Sequence, residues 1–368
     1  MNASPAPAAV VDLDDTEGLL EADRMGLLRA ASMAGAQVRA TAAALEEGDL
    51  DPVRSDAAPR TIVWVTGRGH PHTAATMLAA VMGASIGAPL VVAAETPPWI
   101  GALDVLVVAG ADPGEPALVA AAATGVRRGA RVIVVAPYEG PLRDATAGRA
   151  VALPPRVPVP DDFTLTRYLA AGLAVLQVVC PGTHTDLGAL ADELDAEAFR
   201  NSARHELFTN PAKSLAEQMS GREVVVAGDT AATVALAQHA ATVLLRVAHR
   251  SVAAVGLADA LAAIGTGWGR GAGSEELSIF HDEQIDGPLP ARTRTFVLTS
   301  DGDRPAITMR LRGFDDVNVV NANDVPDVVM AGGNRDVTGS PPGRLEQQIA
   351  LLAVRFEMAA VYQRLVRG

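Results

Sequence analysis

The chain has 368 residues, with 30 basic and 43 acidic side chains, a formal net charge of −13 and 49% hydrophobic residues. That apolar mass excludes a disordered chain and is enough for two cores, since domains centre near ~150 residues. The negative charge speaks against a nucleic-acid partner, and the single cysteine, Cys180, excludes a disulfide framework or a cysteine-cluster metal site.

The first basic residue is Arg24, so no positive leader segment precedes an apolar run. The longest apolar stretch, 169–180, is too short to span a bilayer. A soluble cytoplasmic protein without membrane contact is expected. Residues 1–60 read as a helical arm. Leu19, Leu20, Met25, Leu27, Leu28, Ala31 and Met33 recur near helical spacing, with Asp15 and Thr16 placed to cap. Residues 51–59 have linker composition.

The pattern then changes. Residues 61–66 (T-I-V-W-V-T) form a β-branched run, broken by Gly67, Arg68 and Gly69. A helix is expected over 73–87, strands over 89–93 and 104–109, a helix over 113–128 and a strand over 131–136. Strands that alternate with helices and are rich in Val and Ile indicate a parallel sheet covered on both faces. After a proline-rich break at 153–160, Asp161 and Asp162 are expected to cap an apolar helix over 165–179. Further helices are expected over 187–199 and 211–219. The rhythm restarts with a strand over 223–227, a turn at Gly228, Asp229 and Thr230, and a helix over 231–247. Strands at 251–255, 295–299 and 318–321 follow, with helices at 257–264 and 345–365. The chain therefore reads as α/β, with two doubly wound, flavodoxin-like parallel sheets. The expected division is 1–60 arm, 61–182 first domain with its crossing helix, 183–220 helical linker and 221–368 second domain.

Several segments carry a resemblance. They are the glycine turn at 65–69, the R-R-G-A-R-V-I step at 127–133, and the N-P-A-K-S-L run at 210–215 before G-R-E-V-V-V at 221–226. The F-H-D-E-Q-I run at 280–285 and the helix end L-V-R-G at 365–368 complete the set. In this order and spacing the chain resembles the two-domain sugar isomerase (SIS) family. It is most similar to the bifunctional glucose-6-phosphate/mannose-6-phosphate isomerases and, more narrowly, to their actinobacterial TobH-type relatives. The resemblance implies two five-stranded SIS domains, a homodimer, no cofactor, and a sugar phosphate or related small anion as ligand. It also implies aldose–ketose isomerisation: a carboxylate moves a proton between C1 and C2, a histidine opens the ring, a lysine assists, and hydroxyls with helix N-terminal N–H groups hold the phosphate.

The sequence departs from that pattern. The family's phosphate loop is close to S-G-N-T-E-E-T, and here residues 109–115 read A-G-A-D-P-G-E, with only Gly110 in common. The region of the family's base, 263–271, holds no carboxylate. The lysine that should follow the last helix is missing, and Lys213, the one lysine in the chain, stands elsewhere. His281 alone matches, as the expected catalytic residue; a surface histidine in an acidic helix is the other reading.

The turn Thr66, Gly67, Arg68, Gly69, followed by Thr73, lies between a strand and a helix, where doubly wound sheets bind ligands. It admits two readings, an anion site with Arg68 as the cation or an ordinary tight turn capped by Thr73. His70 and His72 lack a third ligand, so no metal is expected. The expectation is a sugar-phosphate binder with weak or no turnover, with an active isomerase as the alternative.

Overall fold

The computed structural model describes residues 11–268, 292–314, 316–324 and 344–367. Two compact units divide the chain. One comprises Arg29–Phe199 with Leu345–Val354; the other comprises Met1–Leu28, Arg200–Arg344 and Arg355–Gly368.

The Arg29–Phe199 unit is built on five parallel strands: β1 (Ile62–Thr66), β2 (Leu90–Ala93), β3 (Val105–Ala109), β4 (Arg131–Val135) and β5 (Val151–Ala152). Their order is β2-β1-β3-β4-β5. The chain runs from β1 out to β2, then returns to β3 on the other side, so the connections reverse direction between β1 and β3. Every residue of β1 and β3 is buried, which explains their unbroken apolar sequence. Helix α3 (Ala34–Glu46) precedes the sheet; α4 (His70–Met82), α5 (Pro116–Arg127) and α6 (Gly140–Thr146) lie between strands; α7 (Leu165–Val179) follows it. Gly172 lets α7 settle on β1 and α4. A Cβ there would stand 2.2 Å from Leu78 Cδ1 and 2.4 Å from Trp64 Cη2.

The other unit carries four parallel strands among its described residues: β6 (Arg222–Gly228), β7 (Ala253–Gly256), β8 (Arg292–Leu298) and β9 (Val317–Val320), in the order β7-β6-β8-β9. Helices α9 (Pro211–Met219), α10 (Ala231–Ala248), α11 (Leu257–Gly265) and α12 (Arg304–Arg310) accompany them. The last helix, α13 (Leu345–Arg367), begins in one unit and ends in the other. Its Arg355 is buried and donates to the carbonyls of Asn321 (2.9 Å) and Ala322 (2.7 Å). Among the described residues, α10 is the one helix long and apolar enough to cross a membrane. It is longer than the apolar stretch found by sequence. Its inner face packs on the sheet through Ala232, Leu236, Val243 and Leu244.

The alternating α/β plan holds for both sheets, with local corrections. The expected N-terminal helix is interrupted: α1 (Thr16–Ala22) and α2 (Leu27–Ala31) are separated by Gly26 at φ 66°, and Asp23 accepts from the N–H groups of Leu27 and Leu28 at 2.7 and 2.9 Å. Asp161 and Asp162 do not cap α7. They form a short 3-10 turn, Asp161–Phe163, and Thr164 takes the N-cap position. Helix α8 (Leu187–Arg200) follows expectation.

Candidate functional site

The carboxyl ends of β1 and β3 are where the first sheet reverses its winding, and loops leaving neighbouring strands diverge there to leave a crevice. Thr66 ends β1, is buried, and shares a 3.2 Å hydrogen bond between its Oγ1 and His72 Nδ1. The Gly67 N–H donates to Ala109 O at 2.8 Å, and the Gly110 N–H to Val135 O at 3.2 Å, so both glycines extend the strand ladder. Arg68 is exposed. Gly69 is the N-cap of α4 at φ 84°, a conformation that a side chain disfavours. Thr66, Gly67, Gly69 and Gly110 therefore gather at one end of the sheet, with Arg68 on the connecting turn.

Thr73 does not cap. Helix α4 starts at His70, a few residues earlier than expected, which leaves Thr73 inside the first turn with its hydroxyl donating to Gly69 O at 3.3 Å. No side chain caps this N-terminus, and Pro71 at N2 has no N–H to satisfy. The two histidines face different partners: His70 Nδ1 meets Thr164 Oγ1 at 3.2 Å, while His72 meets Thr66. Among the described residues, no group of three His, Cys, Asp or Glu side chains is placed to hold a metal.

The loop comparison sets the negative charge of Asp112 and Glu115 where a phosphate would sit; what it does not reveal is that Glu115 reaches Gly67. Its Oε2 lies 2.6 Å from where a Cβ on Gly67 would stand and 3.8 Å from one on Gly110. The carboxylate thus rests over the two glycines at the strand ends, and it does not cap α5 although Glu115 occupies the N-cap position. Only the sheet order, which puts residue 115 beside residue 67, reveals this. Asp112 instead accepts from the Gly114 N–H at 2.7 Å and stays exposed.

The corresponding turn of the second sheet is closed. Thr230 caps α10, accepting from the Thr233 N–H at 3.2 Å, and Thr233 Oγ1 accepts from the Thr230 N–H at 2.9 Å. Asp229 accepts from the Thr233 hydroxyl at 2.9 Å. The donors that an anion would need are thus already used. Gly228 makes this closure possible, because a Cβ there would stand 2.3 Å from both Thr233 C and Val234 N.

His281 lies outside the described residues. Lys213 is fully buried on α9. It donates to Ala203 O at 2.9 Å and lies 5.7 Å from the Tyr362 ring, an internal strut rather than a crevice residue.

No protein-family model and no curated protein matches this chain. Solved structures do. Tagatose-6-phosphate ketose/aldose isomerase from Escherichia coli matches with a TM-score of 0.59 at 17% identity, over 100% of this chain and 96% of that one. A glucose-6-phosphate isomerase-like protein from Thermus thermophilus matches with a TM-score of 0.51 at 20% identity, over 97% and 94%. The C-terminal domain of glucosamine-fructose-6-phosphate aminotransferase from Francisella tularensis matches with a TM-score of 0.55 at 10% identity, over 95% and 96%. The chain therefore shares the α/β fold of these proteins, with its two parallel sheets.

Proposed function

We propose that this chain binds a sugar phosphate, or a related small anion, at the strand ends of its first sheet, and that it is a weakly active or inactive relative of the phosphoglucose/phosphomannose isomerases, of the TobH type. The observation that carries the reading is the contrast between the two strand-to-helix turns. In the second sheet the helix N-terminus is sealed by the Thr230–Thr233 capping box; in the first, α4 has no side-chain cap and an exposed Arg68 beside it. The uncapped N-terminus turns the positive end of the helix dipole toward an anion; the His72 and Thr73 N–H groups already donate to Gly69 O, both at 3.1 Å, and Pro71 has none, so the dipole and Arg68 carry the attraction. A guanidinium adds a forked, permanently charged donor. In this reading Gly67, Gly69 and Gly110 give close backbone access, and Thr66 and Thr73 supply hydroxyls. Residues 61–182 and 221–368 are the two SIS-like domains, flanked by the 1–60 arm and the 183–220 linker. The protein is a homodimer with His281 near the interface.

Weak turnover follows from the loop chemistry. Residues 109–115 hold no hydroxyl, and Glu115 places negative charge over the glycines. With the base unmatched, little of the ~10²–10⁴-fold contribution of general acid–base catalysis is available. One observation favours the alternative, an active aldose–ketose isomerase: Glu115 puts a carboxylate at the strand ends, the residue type that proton transfer between C1 and C2 requires.

Calorimetric titration with glucose-6-phosphate, run beside a coupled assay for fructose-6-phosphate, separates the two. The proposal expects saturable binding that falls about 10–100-fold in Arg68→Ala, the worth of ~1.5–3 kcal/mol for a hydrogen bond to a charged group. It expects turnover near background, and His281→Ala to leave affinity largely intact. Robust turnover abolished by His281→Ala would establish the enzyme instead. A monomeric mass by light scattering at micromolar concentration would overturn the dimer.

A further inference from the structure

The two connections that leave β1 and β3 depart to opposite faces of the first sheet. Val63 and Val65 pack with Leu118 and Ala121 of α5. Trp64 points the other way, toward Gly172 of α7, where Leu78 of α4 also reaches. The Thr66–Gly69 turn therefore leads to α4 on one side of the strand ends, and residues 110–115 lead to α5 on the other. A ligand seated over the strand ends lies between these two walls.

The walls carry opposite charge. On the α4 side stands Arg68, exposed and without an ion-pair partner among the described residues. Beside it His72, also exposed, has Nδ1 engaged by Thr66 Oγ1. On the α5 side stands Glu115, half-buried, with its Oε2 against Gly67 and Gly110. Among the described residues its carboxylate accepts no hydrogen bond and forms no ion pair. The N–H groups of those two glycines already donate to Ala109 O and Val135 O. Asp112, the other carboxylate of that loop, has a partner in the Gly114 N–H at 2.7 Å. Glu115 is thus a negative charge partly withdrawn from water with nothing to balance it.

We infer that the ligand of this crevice is a zwitterion, the phosphate monoester of an amino sugar, whose free ammonium pairs with Glu115 while its phosphate lies on the Arg68 side. The inference rests on the sugar-phosphate reading above and makes Glu115 the residue that sets the ligand class. A plain sugar phosphate brings only negative charge, which Arg68 attracts and Glu115 repels. An ammonium on the same sugar turns that repulsion into a charge-assisted hydrogen bond. An N-acetylated amine keeps the bulk and loses the charge, so it gains nothing from Glu115. The site discriminates by a repulsive group that one class of ligand alone neutralises.

The test is calorimetric titration of the full chain near neutral pH with glucosamine-6-phosphate and glucosamine-1-phosphate, each beside its glucose and N-acetylglucosamine counterparts. The 1-phosphate holds amine and phosphate on neighbouring carbons, and the 6-phosphate holds them apart. In at least one series the free amine is expected to bind about 5–30-fold more tightly than the hydroxyl sugar, a range lowered for the half-exposure of Glu115. The N-acetyl compound should bind no more tightly than the hydroxyl sugar. Glu115→Gln should cross the affinities, weakening the amino sugar and tightening the hydroxyl sugar. Glu115→Asp, one methylene shorter, should keep part of the preference. Arg68→Ala should weaken amino and hydroxyl sugars by a similar factor. Binding of glucose phosphates with no amino preference in either series would overturn the inference and leave the sugar-phosphate reading standing. So would a preference shared by the N-acetyl compound, or one that survives Glu115→Gln. If none of the six compounds binds, both readings fall.

Discussion

Gly228→Ala should separate the two strand-to-helix turns sharply. In the second sheet the added Cβ would meet Thr233 C and Val234 N at 2.3 Å and Thr233 O at 2.7 Å, all backbone atoms of the first turn of α10. Relief to ordinary contact requires that turn to retreat by about 1 Å, and it is held there by the capping box. Overpacking of this kind costs ~1–3 kcal/mol, and loss of the cap adds ~1, giving about 2–4 kcal/mol. For a unit of this size each kcal/mol lowers Tm by ~2–4 °C, so a drop of about 5–15 °C is expected. Gly67→Ala is the matched control. Its Cβ would meet Glu115 Oε2 at 2.6 Å, the free end of a half-buried side chain that can swing aside, and its nearest backbone neighbour, Gly110 Cα, is at 3.6 Å. Its expected cost is below ~1 kcal/mol. Circular dichroism melts of wild type and both variants decide the matter. Equal shifts, or a Gly228→Ala protein within ~0.5 kcal/mol of wild type, would refute the argument from close approach.

Other perturbations follow from buried charge. Burial pushes the Asp104 pKa up, but donors from Arg60, the Thr61 hydroxyl and the Gly101 N–H together hold it below the usual value. Its contribution is therefore present at neutral pH and lost as pH falls through the folded pKa; urea midpoints should show Asp104→Asn about 1–3 kcal/mol weaker at pH 7, with the gap closing in acid. His239, wholly buried with its Nε2–H donating to Glu357 Oε1 at 3.1 Å, is pushed down to about 3 by burial. The unfolded chain then takes up that proton first, so stability should decline from about pH 6.5 toward pH 3, and His239→Gln should flatten this part of the acid unfolding curve. Burial also lowers Lys213, against the pull of Asp14, Asp12 and Glu206. Its cost is therefore relieved as pH rises from the folded pKa toward the ordinary lysine value, and Lys213→Met should lose that alkaline gain in urea midpoints.

The strands that carry the site were legible because burial on both faces leaves only apolar, β-branched sequence, as in Val105–Ala109. Strand β5 was not: two residues, Val151 and Ala152, pair with β4 only because the sheet is already there. Helix α6 begins with Gly140 and Pro141, which by sequence alone read as a break. The turn at Thr66–Gly69 was found from the change of hydrophobic period. The carboxylate over it was not, since Glu115 reaches Gly67 through the pairing of β1 with β3.

The division of α13 also bears on synthesis. The unit that contains the first sheet takes Leu345–Val354 as well as Arg29–Phe199, and residues 200–344, 145 in all, are translated between the two segments. At ~5–20 residues per second the ribosome needs about 7–30 s to cover that stretch. Throughout that interval the nascent first sheet exists without the helix that completes its unit, and the residues through Leu28 wait longer still, since residues 29–199, 171 in all, are made before the next segment of theirs begins at Arg200. Neither unit is a contiguous cassette: a fragment ending at Phe199 omits part of its own fold, and a stand-alone version calls for a linker that joins 345–354 to 29–199 in place of 200–344.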